Sequence, residues 1–268
     1  MRYIQKAMDE VSTQRAYPLA SWGKSQWRRL IDFLVPPKCL VCHDPVAEPA
    51  SLCQSCWNTL KYIDAPVCNV LGVPFAYDQG EGAISPAALA DPPPWNRARA
   101  AVAYDDASRK IVHALKYRDT QEAGLFMARL MGRAGRQLIE EADVIIPVPL
   151  HRFRLWRRRF NQAAFLSQRI ARQFSKSYRT DLLQRNKASR SQVGLSFEER
   201  RKNVAKVFQV TAEGAGYLSG CKVLLVDDVL TTGATAGSCA AMLKKAGAAQ
   251  VDVLTFALVL EPRRPHIG

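Results

Sequence analysis

The chain has 268 residues, of which 48% are hydrophobic and 23% are charged, and its formal net charge is +14. This length and apolar content allow one full hydrophobic core and a small appended module. The sequence contains no apolar run long enough for a membrane span, and its N-terminal residues lack the apolar core of a signal peptide. We therefore expect a cytoplasmic protein without a membrane span.

Residues 1–35 are predicted to form one or two short helices. Trp22, Trp27 and Leu30 belong to an apolar face that is interrupted by Lys24 and Arg28. We favour a helix that packs on the body of the protein over a helix that lies on a membrane surface, because the basic charge of this segment is modest for the latter.

Residues 36–62 contain four cysteines with the spacing of a metal site. Cys39, Cys42, Cys53 and Cys56 form two C-x2-C pairs. Each pair can place two thiolates on one tetrahedral Zn²⁺, and together they complete a closed structural site. Four unligated cysteines would not need the doubled spacing, and neither pair opens a helix after a strand, as a redox pair would. We predict a zinc-ribbon module.

Residues 63–97 are rich in proline and glycine and are predicted to be a linker, with at most a small hairpin, that lies across the functional face of the next domain. One further cysteine, Cys68, lies in this segment without a second cysteine at C-x2-C spacing. No internal repeat is visible in the sequence.

Residues 98–262 alternate between short apolar runs and amphipathic segments, a pattern typical of a parallel α/β sheet. The predicted strands cover residues 100–104, 144–148, 180–183, 208–210, 221–226 and 251–260. The predicted helices cover residues 108–117, 121–140, 160–174 and 236–247. We therefore predict an α/β fold with a doubly wound, mainly parallel sheet.

Nearly all of the excess positive charge lies in residues 148–210, which contain sixteen lysines and arginines and three acidic residues. Such a field attracts polyanions, whether a diphosphate or a nucleic-acid backbone, and charge alone does not separate the two. Five arginines follow the strand predicted at 144–148, at positions 152, 154, 157, 158 and 159. Arginines at a strand end suit the oxygens of a multidentate phosphate, and the alternative is a solvated basic face on the following helix.

The most informative stretch is residues 223–235, VLLVDDVLTTGAT. Its apolar run ends in two acids, Asp227 and Asp228, and a hydroxyl-rich turn then precedes an alanine-rich helix. In a parallel sheet that turn lies at a strand's carboxyl end and at a helix N-terminus, where free N–H groups and the helix dipole favour a bound phosphate. The turn consists of Thr231, Thr232, Gly233, Ala234 and Thr235.

The two acids would repel a phosphate, so they should contact sugar hydroxyls or Mg²⁺ instead. A ribose 5-phosphate satisfies both requirements, with its hydroxyls on the acids and its phosphate in the turn. The alternative that the acids only cap a loop does not explain the apolar strand before them and the TTGAT turn after them. A Walker B role is excluded because the chain has no G-x4-GK[ST] loop.

The stretch VLLVDDVLTTGAT resembles the motif with which type I phosphoribosyltransferases bind 5-phosphoribosyl-1-pyrophosphate (PRPP). The wider chain resembles the ComF/GntX family, in which a zinc-ribbon module precedes a type I phosphoribosyltransferase-like domain. The resemblance implies that Asp227 and Asp228 hold the ribose, that residues 231–235 hold the 5-phosphate, and that Mg²⁺ accompanies PRPP. Relatives often have a second C-x2-C pair near Cys68, and its absence here argues against a second zinc.

The resemblance also assigns roles to the basic residues. Residues 147–163, with Arg157, Arg158 and Arg159, would form the loop that binds the leaving diphosphate, and Lys116 would contribute to binding the same ligand. The polar segment 185–208 would be the flexible loop that closes over PRPP and excludes water.

Two hypotheses for the function follow. The first is an enzyme that transfers ribose 5-phosphate from PRPP to a nitrogen nucleophile with the help of Mg²⁺. The second is a non-enzymatic PRPP-binding competence factor that acts in DNA uptake with single-stranded DNA or a helicase partner, using the basic stretch and the zinc ribbon. A purely structural zinc protein would leave the acidic pair and the arginine loop unexplained.

Overall fold

The computed structural model describes residues 36–117, 121–150, 161–185 and 207–260. Three predicted features lie wholly or mostly outside the described residues. They are the helical segment 1–35, the arginines Arg157, Arg158 and Arg159, and the flexible loop 185–208.

Within the described ranges the chain forms eight helices and seven strands. The helices are α1 (Gln54–Thr59), α2 (Pro86–Ala90), α3 (Asp106–Tyr117), α4 (Gln121–Ala134), α5 (Arg136–Glu141), α6 (Gln162–Phe174), α7 (Ala212–Tyr217) and α8 (Ala234–Lys245). The strands are β1 (Arg97–Ala103), β2 (Val144–Pro147), β3 (Ser177–Tyr178), β4 (Leu183–Arg185), β5 (Phe208–Val210), β6 (Lys222–Leu230) and β7 (Gln250–Leu258). None of these helices is both long and apolar enough to cross a membrane.

Five strands form one sheet in the order β1-β7-β6-β2-β3, and every neighbouring pair is parallel. The central strands β6 and β7 are almost continuously buried, as expected for a parallel sheet that is covered on both faces. The carboxyl ends of all five strands therefore lie at the same edge. Strands β4 and β5 pair separately as an antiparallel ribbon.

Two buried clusters cover the two faces of the sheet. One contains the apolar residues of α3, α4, α5 and α6, and the other contains those of α8 together with the β4–β5 ribbon. The predicted fold class is thus confirmed: a doubly wound, mainly parallel α/β sheet that is preceded by a small cysteine-rich module.

Three predicted elements differ from the structure. The strand predicted at 180–183 lies mostly between the observed strands β3 (Ser177–Tyr178) and β4 (Leu183–Arg185). The helix predicted at 121–140 is broken at Gly135, where an added Cβ would lie 2.5 Å from a methyl group of Leu254. The chain therefore approaches β7 too closely for a side chain at this position. The strand predicted at 221–226 continues to Leu230, because β7 pairs with it as far as Leu258. Asp227 and Asp228 consequently lie within the strand.

The cysteine-rich module packs around the edge strand β1. Tyr62 forms an antiparallel bridge with Val102, the Ile63 N–H donates to the Ala101 carbonyl at 3.0 Å, and the Ala103 N–H donates to the Lys61 carbonyl at 2.8 Å. Residues 61–63 therefore cover the backbone of β1 that would otherwise be exposed at the sheet edge.

Candidate functional site

The turn of residues 231–235 connects β6 to α8 at the carboxyl edge of the sheet. Four of its five residues are exposed, and the fifth, Gly233, is partly buried. Gly233 is the N-cap of α8 in the left-handed conformation, with φ 76°, and has no side chain that could cap the helix. The Ala234 N–H makes only a long hydrogen bond, at 3.5 Å, to Oγ1 of the exposed Thr232, so the N-terminus of α8 remains open to an anion.

The 231–235 turn rests on an aromatic side chain that the sequence analysis did not single out. A Cβ added to Gly233 would lie 2.6 Å from Cη2 of Trp95, so the indole ring lies directly against the glycine. Trp95 is buried, and its Nε1 donates to the Val70 carbonyl at 2.9 Å. The only sequence signal for this contact is a tryptophan directly after the prolines at 92–94, which is too weak to identify it.

Gly233→Ala is expected to destabilise the protein and Gly237→Ala is not. At Gly233 the new methyl group would meet both a left-handed backbone, which costs an L-residue ~1–2 kcal/mol, and the Trp95 ring at 2.6 Å. At Gly237, inside α8, the nearest atom is 3.4 Å away, an ordinary contact, and alanine favours a helix over glycine. Urea unfolding of both variants measures the difference. Equal stability of the two would contradict the close packing of Trp95 on Gly233.

The acidic pair lies just before the turn, and its two side chains point to opposite faces because they are neighbours on a strand. Asp228 is buried, and its Oδ2 lies 2.6 Å from Nζ of Lys116 at the end of α3. Asp227 lies on the face of the sheet that α8 covers, near Cys239 of that helix. Burial raises the pKa of the Cys239 thiol, and the nearby Asp227 carboxylate raises it further. The structure therefore brings Lys116 into an ion pair with Asp228, a contact that the sequence does not predict.

Asp227 is partly buried and accepts a hydrogen bond from the Asp228 N–H at 2.8 Å. Burial, and then the neighbouring Asp228 carboxylate, raise the pKa of Asp227 to about 8. Near neutral pH Asp227 is consequently protonated, and the charge of Asp228 is balanced by Lys116. The acidic pair therefore adds little negative charge beside the 231–235 turn, which removes the electrostatic conflict with a bound phosphate.

The raised pKa of Asp227 predicts a pH dependence of stability. Between its unfolded value near 4 and its folded value of about 8, the folded protein binds more protons at this residue than the unfolded chain does. The contribution of Asp227 to stability is thus present at low pH and is lost as the pH rises through this window. Asp227→Asn, which cannot ionise, is expected to gain stability relative to the wild type from pH 4 to pH 8. Urea unfolding across that range tests it, and a constant difference would contradict it.

The loops expected to bind the diphosphate and to close over the ligand are anchored beside this site. Strand β2 lies next to β6, with Pro147 in register with Val226, and the Val148 N–H donates to the Val226 carbonyl at 2.9 Å. Asn161, the N-cap of α6, donates to the Val148 carbonyl at 3.2 Å. Both ends of the arginine-containing loop therefore meet at the carboxyl edge.

The segment expected to be the flexible loop has its ends in the β4–β5 ribbon, where Arg185 is in register with Phe208. Phe208 belongs to the same buried cluster as the apolar residues of α8. The loop thus begins and ends on the face of the sheet that also carries the helix after the 231–235 turn.

The four predicted metal ligands converge at one point. The Sγ atoms of Cys39, Cys42, Cys53 and Cys56 lie within 4.8 Å of one another, and those of Cys42 and Cys53 are 3.6 Å apart. Four thiolates on a tetrahedral Zn²⁺ lie about 3.8 Å apart, so the donor set and its spacing fit a structural zinc ion. No open position is needed for a substrate, because all four ligands come from the protein.

The backbone around Cys39 favours the ionised form of this one thiol, whereas burial raises the pKa of the Cys56 thiol to about 11. Burial would raise the pKa of the Cys39 thiol, but N–H groups of Cys42, Cys53 and Val41 that donate to its sulfur lower it to about 6. Such N–H donors stabilise a thiolate, which is the form that binds zinc.

Comparison with solved structures finds an enzyme of purine biosynthesis and two phosphoribosyltransferases, at low similarity. The allosteric regulatory enzyme of purine biosynthesis is 22% identical with a TM-score of 0.36, over 50% of this chain and 26% of that one, so the match spans about a quarter of that enzyme. A hypoxanthine phosphoribosyltransferase from Staphylococcus aureus is 15% identical with a TM-score of 0.36, over 53% of this chain and 68% of that one. An orotate phosphoribosyltransferase from Aeropyrum pernix is 15% identical with a TM-score of 0.33, over 59% and 80% of the two chains.

Comparison with sequences gives closer relatives. The double zinc ribbon domain family matches residues 30–87. DNA utilization protein YhgH of Escherichia coli O157:H7 is 30% identical over 231 residues, which cover 82% of this chain and 96% of that protein. Competence protein F of Haemophilus influenzae is 30% identical over 207 residues, covering 75% and 88% of the two chains. At this identity and coverage the chain belongs to the family of DNA utilization protein YhgH and competence protein F, as its resemblance to the ComF/GntX family predicts.

Proposed function

We propose that the chain binds PRPP at the carboxyl edge of its sheet and, with Mg²⁺, transfers ribose 5-phosphate to a nitrogen nucleophile. The observation that supports this most is the exposed N-terminus of α8 beside an acidic pair whose charge is offset by Lys116 and by the raised pKa of Asp227. Carboxyl groups that can accept hydrogen bonds from sugar hydroxyls thus lie next to a turn that can bind a phosphate, and they would not strongly repel that phosphate.

In this proposal the 231–235 turn binds the 5-phosphate through backbone N–H groups and threonine hydroxyls. Asp227 and Asp228 accept hydrogen bonds from the ribose hydroxyls. When Asp228 binds a ribose hydroxyl, its ion pair with Lys116 weakens or breaks. The Lys116 ammonium can then contact the diphosphate. Mg²⁺, when bound, would neutralise charge on the diphosphate oxygens.

The transfer breaks the C1–O bond, and its electron pair leaves with the diphosphate. The nitrogen nucleophile supplies the electrons of the new C1–N bond. Positive charge develops on the ribose and negative charge on the leaving oxygen, so cations near that oxygen accelerate the step. Arg157, Arg158 and Arg159, in the loop anchored at Val148 and Asn161, would supply these cations.

Two measurements test the proposal. Calorimetric titration of the protein with PRPP and Mg²⁺ measures binding, and release of pyrophosphate in the presence of single bases and amines measures transfer. Binding together with release that depends on one added nucleophile is the expected result. A folded protein that does not bind PRPP would refute the proposal.

A second function is favoured by the relatives, whose names refer to DNA utilization and competence. In this alternative the same site binds PRPP without turnover, and the basic stretch 148–210 and the zinc ribbon bind single-stranded DNA or a DNA-uptake protein. Binding of single-stranded DNA that weakens steeply with salt, without pyrophosphate release for any nucleophile, would favour it. A cytoplasmic location belongs to both proposals, because a reducing compartment keeps the zinc-binding thiols reduced.

A further inference from the structure

The backbone of the first zinc knuckle recurs in the segment that the sequence analysis interprets as a linker. In both places an antiparallel bridge closes a short loop, Lys38 with Pro45 and Val67 with Pro74. Each loop contains one residue with positive φ, His43 at 67° and Gly72 at 71°. Each pair of equivalent residues is separated by 29 positions in the sequence.

The hydrogen bonds of the two knuckles correspond one to one. In the first knuckle they are Cys39 N–H to Asp44 O at 2.7 Å, His43 N–H to Cys39 O at 3.0 Å and Val46 N–H to Pro37 O at 2.9 Å. In the second they are Cys68 N–H to Val73 O at 2.8 Å, Gly72 N–H to Cys68 O at 2.8 Å and Phe75 N–H to Pro66 O at 2.9 Å. The repeat is therefore structural, although few residues are shared.

The repeat extends to the helix that follows each knuckle. The Leu40 N–H donates to the Ser51 carbonyl, and the equivalent Asn69 N–H donates to the Ala83 carbonyl. The N-cap of α1 is Cys53, and the N-cap of α2 is Ser85. We call residues 36–62 the first ribbon and residues 66–90 the second ribbon.

This correspondence identifies what occupies the four ligand positions in the second ribbon. The residues equivalent to Cys39, Cys42, Cys53 and Cys56 are Cys68, Leu71, Ser85 and Ala88. Only one of these four side chains is a zinc ligand, and one thiolate cannot hold a structural zinc ion.

Hydrogen bonds and packing take the place of the metal. The Cys68 sulfur is fully buried and accepts hydrogen bonds from the Ser85 N–H at 3.2 Å and the Leu71 N–H at 3.5 Å. These donors join the knuckle to the start of α2, the same two elements that zinc joins in the first ribbon. Ala88 is buried, and Leu71 packs against the apolar cluster on the α8 face.

The second ribbon is fixed to the sheet and to the 231–235 turn. Arg99 of β1 donates to the carbonyl and side-chain oxygens of Asn69, at 3.0 and 2.8 Å. The carbonyl of Val70 accepts the hydrogen bond from Nε1 of Trp95, whose ring lies against Gly233. Backbone groups of the second knuckle thus hold the side chain on which the turn rests.

The match to the double zinc ribbon family over residues 30–87 includes most of this second ribbon. We propose that the second ribbon, residues 66–90, holds together without a metal ion and supports the 231–235 turn through Trp95. That this support matters for PRPP binding rests on the proposed function. The metal-free ribbon and the contact between Trp95 and Gly233 do not depend on it. The first experiment is therefore a count of bound zinc, and the second follows the turn in the ligand-free protein.

The zinc count uses the full chain, purified with excess zinc and then desalted. The wild type is expected to hold one zinc ion per chain, and Leu71→Cys/Ser85→Cys/Ala88→Cys, which restores four thiols, is expected to hold two. The same triple variant with Cys68→Ala, which has three thiols, is the matched control and is expected to return to one tightly held ion. Two ions on the wild type would overturn the proposal, and so would one ion on the triple variant if it is folded by circular dichroism. If the triple variant does not fold, the wild-type count decides alone.

The support of the turn is tested by hydrogen exchange in the ligand-free protein. Trp95→Ala is expected to increase the exchange of residues 231–237 several-fold, while residues 38–60 of the first ribbon stay unchanged. Trp95→Phe keeps an aromatic ring on Gly233 but loses the hydrogen bond to Val70, so its increase should be smaller. Exchange at 231–237 that is the same in Trp95→Ala and the wild type would overturn the support role.

Discussion

The double variant Asp227→Asn/Asp228→Asn is expected to lose PRPP binding while the domain stays folded. Asparagine at position 228 removes a charged acceptor for the ribose hydroxyls, whereas asparagine at position 227 replaces a neutral, protonated carboxyl with a neutral amide of similar size. One hydrogen bond to a charged group contributes about 1.5–3 kcal/mol, which corresponds to roughly 10- to 100-fold weaker binding. Calorimetric titration with PRPP and Mg²⁺ measures this loss directly.

The fold should survive because the acids make few stabilising contacts of their own. Asp227 is protonated near neutral pH, so asparagine at this position resembles the state already present. Asparagine at position 228 loses the ion pair with Lys116, whose partial exposure lets its ammonium turn toward water. Asp143→Asn is a matched control, because Asp143 accepts a hydrogen bond from the Lys222 N–H at the opposite edge of the same sheet. Unchanged PRPP affinity in the folded double variant would refute the assigned role of the acids.

The sequence predicts the α/β architecture well because its strands are clear apolar runs and its helices have apolar residues at helical spacing. Strands that are covered on both faces are continuously apolar, and this is the character of the run Val223–Val226 and of the segment around Val144. In the structure these two strands are neighbours in the sheet. The four-cysteine site is equally predictable, since zinc imposes both residue type and spacing.

The details that the sequence does not predict depend on contacts between distant segments. Strand β6 extends through Asp227 and Asp228 because β7 supplies a pairing partner, which outweighs the low strand propensity of aspartate. The Lys116–Asp228 pair joins residues from two elements that only the folded sheet brings together. The second ribbon is not predicted from the sequence because three of its four ligand positions lack a cysteine. Its similarity to the first ribbon lies in the backbone hydrogen bonds, which only the structure shows.

Removing zinc is expected to unfold the first ribbon and to leave the second ribbon folded. The first ribbon has one six-residue helix and two isolated bridges, of which only Lys38–Pro45 is internal, so its structure depends on the metal, whose binding contributes on the order of 10 kcal/mol in small zinc domains. The second ribbon has Cys68, Leu71 and Ala88 in positions where burial and hydrogen bonds persist without a metal. Hydrogen exchange after chelation should therefore rise at residues 38–60 and stay low at residues 66–90.

Cys53→Ser should reproduce the effect of chelation, and Cys221→Ser serves as its control. Cys221 is also partly exposed, but it lies outside the cluster and donates to the Tyr217 carbonyl at 3.1 Å. Unfolding of the first ribbon would also uncover part of the α3–α6 face, because Trp57 contacts Phe126 edge-on and Arg129 donates to the Ala50 carbonyl. Exchange at α4 should then rise as well, while the α8 face with the 231–235 turn should not change. If residues 66–90 and 231–237 lose protection together with residues 38–60, the two ribbons form one cooperative unit and the metal supports both faces of the sheet.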